Sequence, residues 1–170
     1  IVFSASELKK YLNRAKIGTA SETDVSASSE DVIKLGLYSD FDITPNVKDI
    51  TFDDSYKIEV YNGTGYIAGV NPRSVLLGVY RFLYELGCRW IRPGEDGEII
   101  PEMVGKDLTV SLESAPSYRH RGICIEGAVS YENVYDIIDW APKLGFNSYF
   151  IQFREGYAFF ERWYNHLKNP

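Results

Sequence analysis

Residues 117–126 read SYRHRGICIE, and residues 145–153 read GFNSYFIQF. The run from Gly122 to Glu126 is apolar until it closes on a carboxylate, and Arg119, His120 and Arg121 crowd its start. Asn147 to Phe153 forms a second apolar run, followed by Arg154 and Glu155. Between them SYENVYDIIDWAPKLG, residues 130–145, places apolar side chains at helical spacing. Strand, helix and strand with short connections make the βαβ unit of a parallel sheet. One such unit cannot bury both faces of its strands. Residues from about Ser117 onward are therefore expected to open a larger parallel domain, a (β/α)8 barrel, that the chain leaves unfinished. Truncated in this way, the unit is expected either to self-associate through its uncovered strands or to be poorly ordered after about Gly145.

The stretch before Ser117 has a different grammar. Ser4 and Glu7 fit a capping box ahead of Leu8, Tyr11, Leu12 and Ala15, which predicts a helix over Ala5–Ala15. The polar run GTASETDVSASSED, residues 18–31, reads as a loop. VIKLGLY (32–38) reads as a strand, and SYKIEVYNGTGYIAGV (55–70) as a hairpin turning over Asn62–Gly65. NPRSVLLGVYRFLYELG (71–87) is the clearest helix, with Asn71 as cap, Pro72 at the first helical position and Gly87 as the stop. Val75, Leu76, Val79, Leu83 and Leu86 form its inner stripe, which Leu77, Tyr80 and Tyr84 widen. CRWI and DLTVSLE (107–113) add strands, SAPS (114–117) is a linker, and GYAFFERWYNHLKN (156–169) opens a further helix. The fold class is thus α/β: an α+β unit with a mixed sheet over residues 1–116, then the first βαβ of a TIM barrel over residues 117–170.

The chain has 170 residues, 45% of them hydrophobic, which is enough for a packed core. A net charge of -6 with no Lys/Arg block excludes the electrostatic footprint of a nucleic-acid binder. No apolar run is long enough to span a membrane. The first residues, IVFSASELKK, lack the pattern of a signal peptide, which leaves the compartment open. Cys88 and Cys124 both sit in apolar surroundings without ligand spacing, so both are expected as buried thiols, with no metal, cofactor or disulfide.

The segment YIAGVNPRSVLLGVYRFLYELGCRWIRPGEDGEIIP followed by PSYRHRGICIE resembles the domain that precedes the catalytic barrel in family 20 β-N-acetylhexosaminidases and family 67 α-glucuronidases. Gly78-Val79-Tyr80, Phe82-Leu83, Gly87, Arg89-Trp90, Pro93-Gly94 and Arg121-Gly122 follow the family pattern in order. The resemblance covers about Tyr56 to Phe153. It implies a glycosidase acting on carbohydrate, with catalytic carboxylates on later barrel strands, past residue 170. Where the hexosaminidase strand continues as "D..R", this chain has Glu126 and Val129, so the implied pocket departs from the standard one.

In a barrel the active site lies at the carboxyl ends of the strands. Glu126 there either bonds sugar hydroxyls or pairs with an arginine on a neighbouring strand. Arg154 either holds a hydroxyl or uronate, or forms a loop ion pair with Glu155. Trp90 and Arg92 either reach across to the cleft to stack on a sugar, or Trp90 is a buried side chain at the interface between the two units. Arg119, His120 and Arg121 precede the strand and are expected to tie the barrel floor to the first unit or to carboxylates beneath it. His166 reads as a surface helix residue. The alternative to a glycosidase is a non-enzymatic carbohydrate-binding or scaffold module with an open aromatic face.

Overall fold

In the computed structural model, the described residues are 1–17, 20–21, 32–126, 131–152, 161–162, 164–165 and 168. The expected loop over residues 18–31 lies almost wholly outside them, as do Phe153, Arg154, Glu155 and His166. Of the helix expected over 156–169, the described residues 161, 162, 164, 165 and 168 are helical.

The fold is of the α/β class, with a mixed sheet. Strands β1 (Ile33–Leu37), β2 (Tyr56–Tyr61), β3 (Thr64–Gly69) and β6 (Val110–Ser114) form a four-stranded sheet in the order β1-β3-β2-β6. β1 runs parallel to β3, whereas β2 is antiparallel to both β3 and β6. The β2–β3 turn is tighter than Asn62–Gly65: Asn62 (φ 49°) and Gly63 (φ 80°) alone reverse the chain, and Thr64 already pairs with Tyr61. Asn-Gly suits that turn because both central residues need positive φ. Alternation along β2 turns Tyr56, Ile58 and Val60 into the core and leaves Lys57 and Glu59 half-exposed on the other face. On that outer face Phe41 stacks on Tyr66, with ring centroids 4.6 Å apart.

Helices α1 (Val2–Arg14) and α2 (Pro72–Glu85) supply the helical side of the core around Leu8, Tyr11, Val79, Phe82 and Leu83. Asn71 caps α2 as expected, accepting from the Ser74 amide at 2.9 Å. Its amide group also donates to the carbonyls of Ile50 and Asp53. Gly78 lets α2 lie close to the sheet, since a Cβ there would sit 2.9 Å from Ile67 Cγ2. The expected stripe on α2 holds at Val75, Val79 and Leu83, which are fully buried, and differs at its edges. Leu77, Tyr80 and Phe82 are buried, Leu76 and Leu86 only partly, and Tyr84 is exposed at 41%.

α1 corrects the reading of its start. It begins at Val2, three residues before Ala5, with Ile1 as the cap and no side-chain capping bond. Ser4 and Glu7 are buried inside the helix, and Glu7 accepts the Tyr80 hydroxyl at 2.7 Å. A pair that matches a local capping pattern serves a contact 73 residues away in sequence.

Two short strands, β4 (Arg89–Trp90) and β5 (Glu98–Ile99), pair antiparallel. β7 (Gly122–Glu126) and β8 (Ser148–Gln152) pair in parallel, with Gly122 opposite Ser148 and Glu126 opposite Gln152. α3 (Tyr131–Trp140) connects them and continues as a 3-10 turn over Ala141–Leu144. Pro142 lacks the amide that a further α-helical bond needs, and Gly145 (φ 84°) closes the turn. Among the described residues of this connection, Val134, Ile137 and Ala141 are the buried apolar ones, and Lys143 is buried beside them.

Candidate functional site

The start of β7 rests on a buried carboxylate. Asp54 lies just before β2 with its side chain fully enclosed. Asp54 Oδ1 accepts Arg73 Nε at 2.8 Å and Ser74 Oγ at 3.2 Å, both from the first turn of α2. Oδ2 accepts Arg121 Nη2 at 2.6 Å and Asn147 Nδ2 at 2.8 Å, from the residues preceding β7 and β8. Burial alone would raise this carboxyl, but the donors from Arg121, Asn147 and Arg73 outweigh it and hold Asp54 below the ordinary range. Beside it Arg119 Nε donates to Asp53 at 2.7 Å, with Asp49 at 3.9 Å from the same guanidinium. The arginines expected to tie the strand floor to carboxylates beneath it do so. His120, between them, is exposed.

A second attachment lies under α3. Glu98 Oε1 accepts the Tyr11 hydroxyl at 2.5 Å and Lys143 Nζ at 3.0 Å, while Arg14 binds Oε2. Lys143 also reaches Asp139 at 2.6 Å. Burial would raise Glu98, yet the Tyr11, Lys143 and Arg14 donors keep it below its usual value. Burial would lower Lys143, but Asp139, Tyr11 and Glu98 hold it above its usual value. Lys143 is therefore a buried cation with two acidic partners. The Trp140 indole closes this seam by donating to the Trp90 carbonyl at 2.9 Å.

For Trp90 the buried alternative holds. Its ring is 2% exposed and wedged edge-on between Tyr11 and Tyr80, at centroid distances of 5.3 and 5.6 Å. Its indole N–H donates to the Tyr11 hydroxyl at 3.0 Å. An enclosed ring offers no face on which a sugar could stack. Arg92 is exposed and 3.7 Å from Asp96, within its own turn. Glu126 ends β7 opposite Gln152, at the far end of the strand from Arg121, and Arg154 lies outside the described residues. At roughly 3.3 Å per residue, the carboxyl rim stands about 16 Å from the Asp54 attachment.

Cys88 is buried, and burial pushes its thiol up to about 11. Cys124 is exposed, against expectation, as is Phe150 (59% exposed), its partner in register. Among the described residues no group of three or more His, Cys, Asp or Glu could hold a metal ion, and no helix is long and apolar enough to cross a membrane.

The sequence reading named Arg119 and Arg121 but none of their acceptors, nor Asn147, Glu98 or Lys143. Asp53 and Asp54 carry no motif of their own. The one available signal was their position immediately before a strand whose core-facing residues are apolar. Comparison with protein-family models, with curated proteins and with solved structures finds no match to the chain.

Proposed function

We propose that the chain belongs to a glycoside hydrolase, as its accessory sheet unit followed by the first strand–helix–strand of a (β/α)8 catalytic barrel. The observation that carries this reading is the parallel register of β7 and β8. It brings Glu126 and Gln152 to one end, while the opposite ends are bonded to Asp54. Barrel chemistry takes place at the carboxyl ends of the strands, and the other end serves stability. The ordered matches from Gly78 to Gly122 support the same assignment.

In this reading Glu126 accepts hydrogen bonds from sugar hydroxyls at the rim, and Arg154 donates to a hydroxyl or a uronate carboxylate. Bond cleavage falls to a pair of carboxylates on later strands: one protonates the leaving oxygen, the other acts as base or nucleophile. Where the substrate carries an acetamido group, that group replaces the second carboxylate. Residues 1–170 then bind and position but do not cleave.

The test is hydrolysis of aryl N-acetyl-β-glucosaminides and α-glucuronides by the full gene product that carries this chain. Release of the aryl group by the full product, and none by residues 1–170 alone, is the expected result. A folded full product that binds sugars yet cleaves no member of an aryl glycoside panel would replace the glycosidase with a carbohydrate-binding module.

A further inference from the structure

Parallel pairing of β7 with β8 has little local support, because α3 separates the strands and no hairpin turn sets their alignment. Their register is nevertheless fixed at the first step. The Arg121 amide donates to Asn147 Oδ1 at 2.9 Å, and the Asn147 amide donates to the Arg121 carbonyl at 3.0 Å. Arg121 Nε adds a bond to the Gly145 carbonyl at 2.8 Å. One donor from each side chain, Arg121 Nη2 and Asn147 Nδ2, then converges on a single atom, Asp54 Oδ2, at 2.6 and 2.8 Å. Arg121 Nη1 donates to the Tyr118 carbonyl, and Asn147 Nδ2 also to the Arg119 carbonyl. Slipping either strand by one residue would carry its donor about 3.3 Å away, past hydrogen-bond reach.

That oxygen is itself held in place. Its twin, Oδ1, is committed to Arg73 and Ser74 on the first turn of α2. The Ser74 hydroxyl is within 3.0 Å of the capping oxygen of Asn71. The hairpin and α2 are built from contacts close in sequence, whereas Asp54 and Asn147 are 93 residues apart. A locally folded unit thus presents a fixed acceptor to two later segments.

We infer that Asp54 is a register template: one oxygen is anchored to α2 while the other aligns the starts of β7 and β8, so that the mixed sheet dictates how the parallel pair is joined. The role does not depend on which reaction the parent protein performs, and its test does not read hydrolysis.

The experiment is amide hydrogen exchange on the 170-residue chain, comparing Asp54→Asn, Asn147→Ala, their combination and Asp53→Asn. In Asp54→Asn the amides of β7 and β8 should exchange faster by on the order of 100-fold, while Ile58 and Ile67 stay protected. Asn147→Ala should expose the same two strands, and the double variant should add little to Asp54→Asn, as expected for residues in one network. Asp53→Asn, which weakens the half-exposed Arg119 pair and the bond from the Asp49 amide but leaves the Asp54 contacts in place, should leave both strands within about threefold of the parent. Unchanged rates in β7 and β8 on loss of Asp54, loss spread evenly over the mixed sheet, or an Asp53→Asn effect equal to that of Asp54→Asn would each overturn the inference. Should Asp54→Asn fail to fold, Asn147→Ala decides. Faster exchange in both strands supports the template; faster exchange in β8 alone, or in neither, refutes it.

Discussion

Asp54 and Glu98 are buried carboxylates held below their ordinary values by donors that outweigh desolvation. A carboxyl depressed in the folded state stabilises fully above its unfolded value, and that contribution disappears as pH falls through the lower folded value. Stability should therefore be flat from neutral pH to about pH 5 and fall steeply below about pH 4. Thermal unfolding followed from pH 7 to pH 3 reads this directly, and the slope should be shallower in Asp54→Asn; a midpoint that holds steady or rises towards pH 3 contradicts it. The two thiols give a second residue-scale outcome. Cys124 is exposed, while Cys88 is buried with its thiol pushed up to about 11. An aromatic disulfide reagent should titrate one thiol promptly in the native chain and the second only after denaturation. Prompt reaction of both would mean that the core around Cys88 opens readily.

At the scale of single elements, α2 was the most legible because its signals are local. Asn71, Pro72 and Gly87 mark its ends without reference to the rest of the chain. Asn71→Ala removes the cap and the two bonds to the 50–53 loop, and should cost about 1–2 kcal/mol in a urea titration. Gly78→Ala should cost a further 1–3 kcal/mol or so by forcing α2 off Ile67. A variant at either site as stable as the parent would contradict the packing described. α1 shows where local reading fails. Ser4 and Glu7 have the right types and spacing for a capping box, but Tyr80 needs an acceptor inside the core and takes Glu7. The same holds for Asp54, Asn147, Glu98 and Lys143, each of which looks like an ordinary surface residue in its own neighbourhood. Their roles come from partners 45 to 93 residues away, which periodicity and capping rules cannot register. Trp90 was legible as a buried side chain, but nothing in CRWIRPG says that Tyr11 and Tyr80 are the rings that enclose it.

At the scale of the molecule, the parallel pair is joined to the mixed-sheet unit at two points. Asp54 bonds the residues before β7 and β8, and Glu98 bonds Lys143 at the end of the α3 connection. Both attachments hold the near side of the βαβ unit, with Cys124 and Phe150 exposed on one strand face and Glu126 at the far rim. Further parallel strands would cover that face, and they are what the glycosidase reading requires. A crystal structure of the full gene product tests this most directly. The account predicts a third parallel strand continuing the β7–β8 sheet, Cys124 and Phe150 enclosed within a closed barrel, and an acidic pair at the carboxyl rim beside Glu126. An antiparallel neighbour on this sheet, or a face at Cys124 and Phe150 still open to solvent, would contradict both the barrel and the hydrolase built on it.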